Sequence, residues 1–295
     1  MNKQNPKIGL LAATSLIVGN MIGAGIFVLP ASLAKFGSIS ILGWIFTASG
    51  ALVLAKIFSN FSKLISGKSG GPYLYSKVVF GDFIGFLVAW GYWISCWVNN
   101  AAIAVAIVSA LSFFFPELIT SPISATLTGL AFIWFFTWTS SKGVKSSGNI
   151  QIFTTVAKII PLLFIIISGM FLFDWNIFPE FNITDQTDFE IFPIVCVMTL
   201  YAFLGIESAT IPANSIKNPS NTIPIATMIG TVISTLIYVF GTIILFGILP
   251  NEVIMNSPAP FAEAGEIIGG KYVGYFISAG AAISAIGALN GWILI

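Results

Sequence analysis

The sequence predicts an all-α integral membrane protein of eight transmembrane helices, built as one five-helix repeat followed by an incomplete inverted second one. Three observations carry this. Of 295 residues, 57% are hydrophobic and only 8% charged, so a soluble surface of ordinary charge density cannot be built and most of the solvent must be lipid. Uncharged stretches cover 8–34, 36–55, 83–116, 118–141, 218–251 and 272–295, each reaching the roughly 20 residues that a helix needs to cross hydrocarbon. Two further apolar stretches each contain one ionisable residue, 150–173 around Lys158 and 191–215 around Glu207.

Helix 1 is expected over 8–35. It is too long for a signal-peptide core, lacks a convincing cleavage site and is followed at once by another span, so it reads as retained. Its middle is Gly19-Asn20-Met21-Ile22-Gly23-Ala24-Gly25-Ile26-Phe27. Glycine inside a helix costs about 1 kcal/mol against alanine and permits non-helical dihedrals, so this group marks a place where the backbone unwinds. Unwound backbone at mid-membrane is tolerated only where it lines a cavity or is buried in protein. Close helix packing through Gly19 and Gly23 would also use these glycines, but it explains neither the polar neighbours nor a recurrence five helices later.

Helices 2 to 5 are expected over 40–65, 82–115, 122–140 and 149–173. The connection 174–190 is acidic and Asn-rich, and its Asn182-Ile183-Thr184 acceptor pattern reads as a chance match. Helix 6, over 191–216, carries the recurrence, Tyr201-Ala202-Phe203-Leu204-Gly205-Ile206-Glu207-Ser208, and helices 7 and 8 follow over 222–249 and 272–295. The chain therefore divides into a first repeat (1–173), an extracytoplasmic loop (174–190) and a partial second repeat (191–295). Interruptions in helices 1 and 6 imply inverted repeats with a substrate site between the breaks. Broken helices turn both amide N–H groups and carbonyls toward one cavity, so one site can hold a carboxylate and a cationic group, which is the chemistry of amino acid transport.

The charges are sorted along the chain. Lys3, Lys7, Lys63, Lys68, Lys77, Lys142, Lys145 and Lys217 fall at ends and loops that share one side. Glu117, Asp174, Glu180, Asp185, Asp188, Glu190, Glu252, Glu263 and Glu266 fall on the other, joined only by Lys35 and Lys271. The positive-inside rule then places the N-terminus in the cytoplasm, and eight spans return the C-terminus there. The expected location is the inner or plasma membrane. A net charge of +1 makes no case for nucleic acid. With no histidine there is no metal-ligand spacing, no cofactor motif appears, and Cys96 and Cys196 lie within spans where a disulfide would serve little. No nucleophile–base arrangement or phosphate loop is present, so the chain does not read as an enzyme.

The run Gly19 to Phe27 followed by Leu29-Pro30 resembles the first helix of amino acid/polyamine/organocation transporters. Gly70-Gly71-Pro72-Tyr73-Leu74-Tyr75 with Phe80-Gly81 resembles that family's cytoplasmic loop and re-entrant segment. Tyr92 to Asn100, Phe203 to Ser208, Lys217-Asn218-Pro219 with Ile223-Pro224-Ile225-Ala226, and Gly291-Trp292 are most similar to the arginine/agmatine antiporters. The likeness covers essentially the whole chain and implies a partial LeuT-like fold of two inverted five-helix repeats. By that resemblance, Ile22, Gly23, Ala24, Gly25 and Ile26, with Ile206 of helix 6, would hold the substrate's carboxylate and amino groups through backbone, and Cys96 and Asn100 would face its head group. Tyr201 would be a cation–π platform, worth roughly 0.5 to 2 kcal/mol. Trp292 would be a middle gate, with Tyr92 and Glu207 on the outer pathway.

Glu207 is also the leading candidate from the residues alone, since an acid within a membrane span can attract a cation or carry a proton, or can hydrogen-bond broken backbone. Alanine at 24 and tyrosine at 201 stand where those antiporters usually have serine and tryptophan. Lys158 stands where they are apolar, and two readings are open: a fixed cation beside the unwound helix that exchanges protons, or a side chain snorkelling to the cytoplasmic face. The resemblance thus implies a carrier of cationic amino acids or polyamines, an antiporter of arginine/agmatine type, with proton-coupled symport as the alternative and a homodimer as a possible assembly. The second repeat needs helices 6 to 10 and the sequence stops at Ile295, so a C-terminally truncated copy is expected, and a non-transporting remnant is a further alternative.

Overall fold

A computed structural model describes residues 7–112, 114, 115 and 117–295, the side chain of Ile119 excepted. Lys3, Phe113 and Pro116 lie outside the described residues. In chain order the helices are α1 (Leu10–Met21), α2 (Gly25–Leu33), α3 (Ile39–Leu64), α4 (Gly71–Phe80), α5 (Asp82–Ser112), α6 (Glu117–Thr120) and α7 (Pro122–Ser141). They continue with α8 (Val144–Gly169), α9 (Asp188–Tyr201), α10 (Pro219–Ile248), α11 (Asn251–Asn256), α12 (Pro260–Gly269) and α13 (Lys271–Leu294).

Seven helical stretches among the described residues are long and apolar enough to cross a membrane, α1 and α2 counting as one. The expected eighth, over 191–216, is not among them. Its regular helix is α9, which has 14 residues and stops at Tyr201. From Ala202 to Pro212 the chain runs in turns, with Phe203, Leu204, Ser208 and Thr210 each donating to the carbonyl three residues earlier. Gly205 is the reason it bends there. Its φ of +109° suits glycine alone, and a Cβ would lie 3.0 Å from Asn20 Cβ and 3.2 Å from the Met21 amide nitrogen.

Helix 1 is likewise two elements. The Ile22 amide still donates to Val18 O, but Gly23 folds back onto Met21 O and helix resumes only at Gly25. Helix 5 begins about a turn earlier than expected, at Val144, because Gly143 at φ +111° lets the chain reverse directly after α7.

The stretch leading into and through the turn segment runs beside helix 1 in the opposite direction. At one end, Ile8 N–H donates to Ser215 O and Lys217 N–H to Ile8 O, both at 2.9 Å. At the other, Ser38 and Ile39 donate to Glu180 and Phe181 carbonyls at 2.9 and 2.7 Å, and the Asn251 amide caps Ala34 O at 2.9 Å. Between these ends lies the main core, where Trp44 of α3 stacks on Tyr238 of α10 at 4.9 Å and meets the edge of Phe203 at 6.0 Å. Glycines let helices meet closely: a Cβ on Gly43 would strike Val195, and one on Gly230 would strike Ile17. A second, smaller cluster joins α5, α7 and α13 through Ile103, Ile107, Phe136, Leu289 and Trp292.

Candidate substrate site

The break between α1 and α2 faces α8 and α13. Where a helix ends, its last carbonyls lose their intrahelical partners and must find others. Here Lys158 of α8, fully buried, donates to Gly19 O at 3.0 Å, to Ile22 O, and to Ser284 O at 3.4 Å. Ser284 Oγ of α13 donates at 3.0 Å to Ile22 O and to Gly23 O. An ammonium has three donors and no acceptor, so three convergent carbonyls satisfy it fully. Lys158 therefore points into the interior, at the break, and not along the helix to a membrane face.

With the carbonyls so occupied, the amide end of α2 is the part of the break left for a solute. Ala24 is its N-cap, Gly25 its exposed first residue, and no side chain caps it. Ala24 also lines a cavity of about 450 Å³ between α2, α5, α12 and α13, with Phe27, Ala106, Phe261 and Ala285 on its walls. Unpaired N–H groups at a helix start carry partial positive charge and suit a carboxylate. Ile22 and Ile26 are buried on either side of the opening.

Glu207 sits in the turn segment two residues past Gly205. Its Oε1 accepts from the Tyr92 hydroxyl at 2.8 Å and its Oε2 from the Gly205 N–H at 3.3 Å. Ile206 is buried beside it, and Ser208 Oγ accepts from the Asn20 side-chain amide at 2.8 Å, which ties the two breaks together. Tyr92, Cys96 and Ala24 pack against the cluster that contains Trp292, whose Nε1 donates to Asn20 O at 3.3 Å. The structure thus brings Ile22 to Ile26, Tyr92, Cys96, Lys158, Ile206, Glu207 and Trp292 around one junction. Asn100, two turns beyond Tyr92 on α5, turns a buried Oδ1 with no partner inward. Tyr201 is placed apart: it is 62% exposed, its hydroxyl reaching Asn99 Oδ1 at 3.4 Å. Sequence reasoning missed Ser284 at the break and, outside the site, Gln151 and Asn290, which are buried on the adjoining faces of α8 and α13. Polar residues at fully apolar spans were the signal that could have found them.

The model of the amino acid permease family matches residues 8–295. The chain is 34% identical over 290 residues to the cadaverine/lysine antiporter of Escherichia coli (strain K12), covering 98% of this chain and 65% of that protein. It is 36% identical over 293 residues to the putrescine transporter PotE of Haemophilus influenzae, covering 99% and 67%. Against the arginine/ornithine antiporter of Pseudomonas aeruginosa the figures are 32% over 304 residues, 99% and 62%. The chain thus spans about two thirds of the length of these relatives. A Na+-coupled sialic acid symporter in a substrate-bound outward-open state superposes with a TM-score of 0.63 at 14% identity, over 97% of this chain and 63% of that one, a likeness of fold. A multi-pass helical chain, matched by the family model from residue 8 to residue 295 and 34% identical over 290 residues to a cadaverine/lysine antiporter, belongs to the amino acid permease family of the amino acid/polyamine/organocation superfamily.

Proposed function

We propose that the protein exchanges cationic amino acids or polyamines across the inner membrane by alternating access, the substrate stabilising the occluded state between two open ones. The single observation that carries this is the junction itself: an uncapped helix start at Ala24–Gly25 on one side and the Glu207 carboxylate on the other, both at broken backbone. A helix start takes the carboxylate of an amino acid and Glu207 its cationic end, while Cys96, Asn100 and Trp292 border the path. The relatives support a cationic solute, since they are named for lysine, cadaverine, putrescine, arginine and ornithine. Arginine for agmatine is one such pair.

The stretch 191–216 is read as the eighth crossing, because Glu180 and Phe181 before it and Ser215 and Lys217 at its close meet the two ends of helix 1. With eight crossings the lysine-rich ends and loops lie in the cytoplasm, the N-terminus among them. Residues 1–173 then form the first repeat and 191–295 the helices of the second that this chain carries.

Counterflow in proteoliposomes tests exchange. Labelled lysine, arginine, ornithine or putrescine should accumulate in vesicles preloaded with an unlabelled cationic partner, and Glu207→Gln should raise the half-saturating concentration by about tenfold or more, as for loss of a buried charge-assisted contact. Equal uptake into loaded and empty vesicles would overturn exchange. A second reading, proton-coupled uptake, is favoured by the burial of Lys158 against Gly19, Ile22 and Ser284 carbonyls. It predicts uptake into empty vesicles that follows an inward proton gradient and is uncoupled by Lys158→Ala.

A further inference from the structure

One face of α8 is polar along only half its length. From Lys158 back toward the helix start, Thr155, Thr154, Gln151 and Ser147 recur at spacings of three and four, and all are buried. From Lys158 onward, 159–167 is an unbroken apolar run. The row covers about 16 Å of helix and leads to the exposed Lys145 near the α8 start.

The neighbours complete the row on two sides. Thr155 Oγ1 donates to Ser15 O of α1 at 3.0 Å. Asn290 of α13 donates from one amide nitrogen to Gln151 Oε1 at 2.8 Å and to Ser147 O at 3.0 Å. Gln151 Nε2 lies against Gly19 and near Gly291, where any Cβ would strike it or the Asn20 amide. Four polar atoms of this cluster, Ser147 Oγ, Gln151 Nε2, Asn290 Oδ1 and Asn20 Oδ1, are buried with no protein partner. Each such orphan costs about 1–3 kcal/mol unless water satisfies it, and packing alone would have used apolar residues.

The ionisable groups around Lys158 are few. Neither α1 nor α7 carries one, and α10 offers Tyr238, whose hydroxyl donates to Ala202 O. In α12 they are Glu263 and Glu266, and in α13 Lys271, Tyr272 and Tyr275 near its start. Glu207 in the turn segment is bound to Tyr92. Apart from Lys145 at the far end, the polar row itself carries no charge.

We propose that this row is the cytoplasmic exit for protons carried by Lys158, a hydrated chain running past Thr155, Gln151, Asn290 and Ser147. It rests on the second reading above, in which Lys158 is the coupling group. The neutral Nζ amine takes a proton from water reaching the break through the cavity beside Ala24 and becomes the ammonium that binds Gly19, Ile22 and Ser284 carbonyls. Release along the row returns the amine and delivers one proton to cytoplasmic water. The apolar run 159–167 blocks the opposite direction along α8, so the two accesses are separate.

The test uses proteoliposomes with a pH dye trapped inside, read for proton influx driven by external substrate, beside substrate-for-substrate exchange at equal pH. Gln151→Leu and, separately, Ser147→Ala should slow proton influx by about tenfold, as expected for losing one hydrogen-bonded relay partner, and leave exchange within about twofold. Wild-type proton influx in both variants overturns the proposal, and so does a matching fall of influx and exchange in both, which would make the row packing only. Lys158→Ala tests the reading beneath it: proton influx that survives there removes Lys158 as carrier, whereas influx lost in Lys158→Ala but intact in the row variants removes only the row.

Discussion

Gly205→Ala isolates the contact on which the junction depends. At φ +109° an alanine is strained, at a cost of about 1–3 kcal/mol for a side chain held in a sparsely populated region. Its Cβ would also meet Asn20 Cβ at 3.0 Å, Asn20 C at 3.2 Å and Met21 N at 3.2 Å, and two of these are backbone atoms that cannot rotate away. Forcing an extra methyl into packed structure costs about 1–3 kcal/mol more. The sum, about 2–6 kcal/mol, corresponds to a melting midpoint lowered by roughly 4 °C or more for a chain of this size. Thermal unfolding of the purified protein in detergent, followed by tryptophan fluorescence, measures it. Gly91→Ala, in α5 with nothing within 4 Å of the added Cβ, is the control and should be neutral or slightly stabilising. If the two variants melt alike, the turn segment does not press on the end of α1, and the argument that the two breaks share one junction fails.

Trp292→Phe keeps the apolar contacts of its cluster but removes the Nε1 donor to Asn20 O, worth about 0.5–1.5 kcal/mol, so the exchange rate should change by several-fold. An exchange rate equal to the wild type would show that this bond takes no part in transport. Glu190 receives hydrogen bonds from the Thr187 amide at 2.9 Å and hydroxyl at 2.8 Å, and these hold its carboxyl below the ordinary carboxylate range. A depressed folded value means stability that is present at neutral pH and is lost as pH falls through that value. Acid should therefore loosen the start of α9 in the wild type, and Glu190→Gln should remove that pH dependence, as hydrogen exchange of the α9 amides would read.

Most helices were legible because lipid leaves only one rule for a span: about twenty apolar residues with every backbone group satisfied inside the segment. That rule places α3, α5, α7, α10 and α13 within a few residues, and it fails over 191–216 for a definite reason. Hydropathy reads side chains, whereas helix continuity depends on the backbone. The apolar side chains of 202–212 say nothing of Gly205 turning to a positive φ against Asn20. Candidate site residues on the breaks were legible for the opposite reason, since glycines and an acid amid apolar residues are conspicuous. Tyr201 was not, because whether a ring faces a cavity or the surroundings is set by where the helix ends, and α9 ends at Tyr201 itself.

The amino-acid sequence by itself determined that this chain lives in a membrane, where seven of its spans fall, where glycines loosen the backbone and which family it resembles. Those are properties of composition, period and local backbone freedom. Only the tertiary structure decided that Lys158 turns inward to the carbonyls of Gly19, Ile22 and Ser284, that Gly205 touches the end of α1, and that Ser147, Gln151 and Asn290 lie on one buried seam. These depend on contacts between residues more than a hundred positions apart, and a partner at that distance is chosen by the packing of whole helices, which no local pattern encodes.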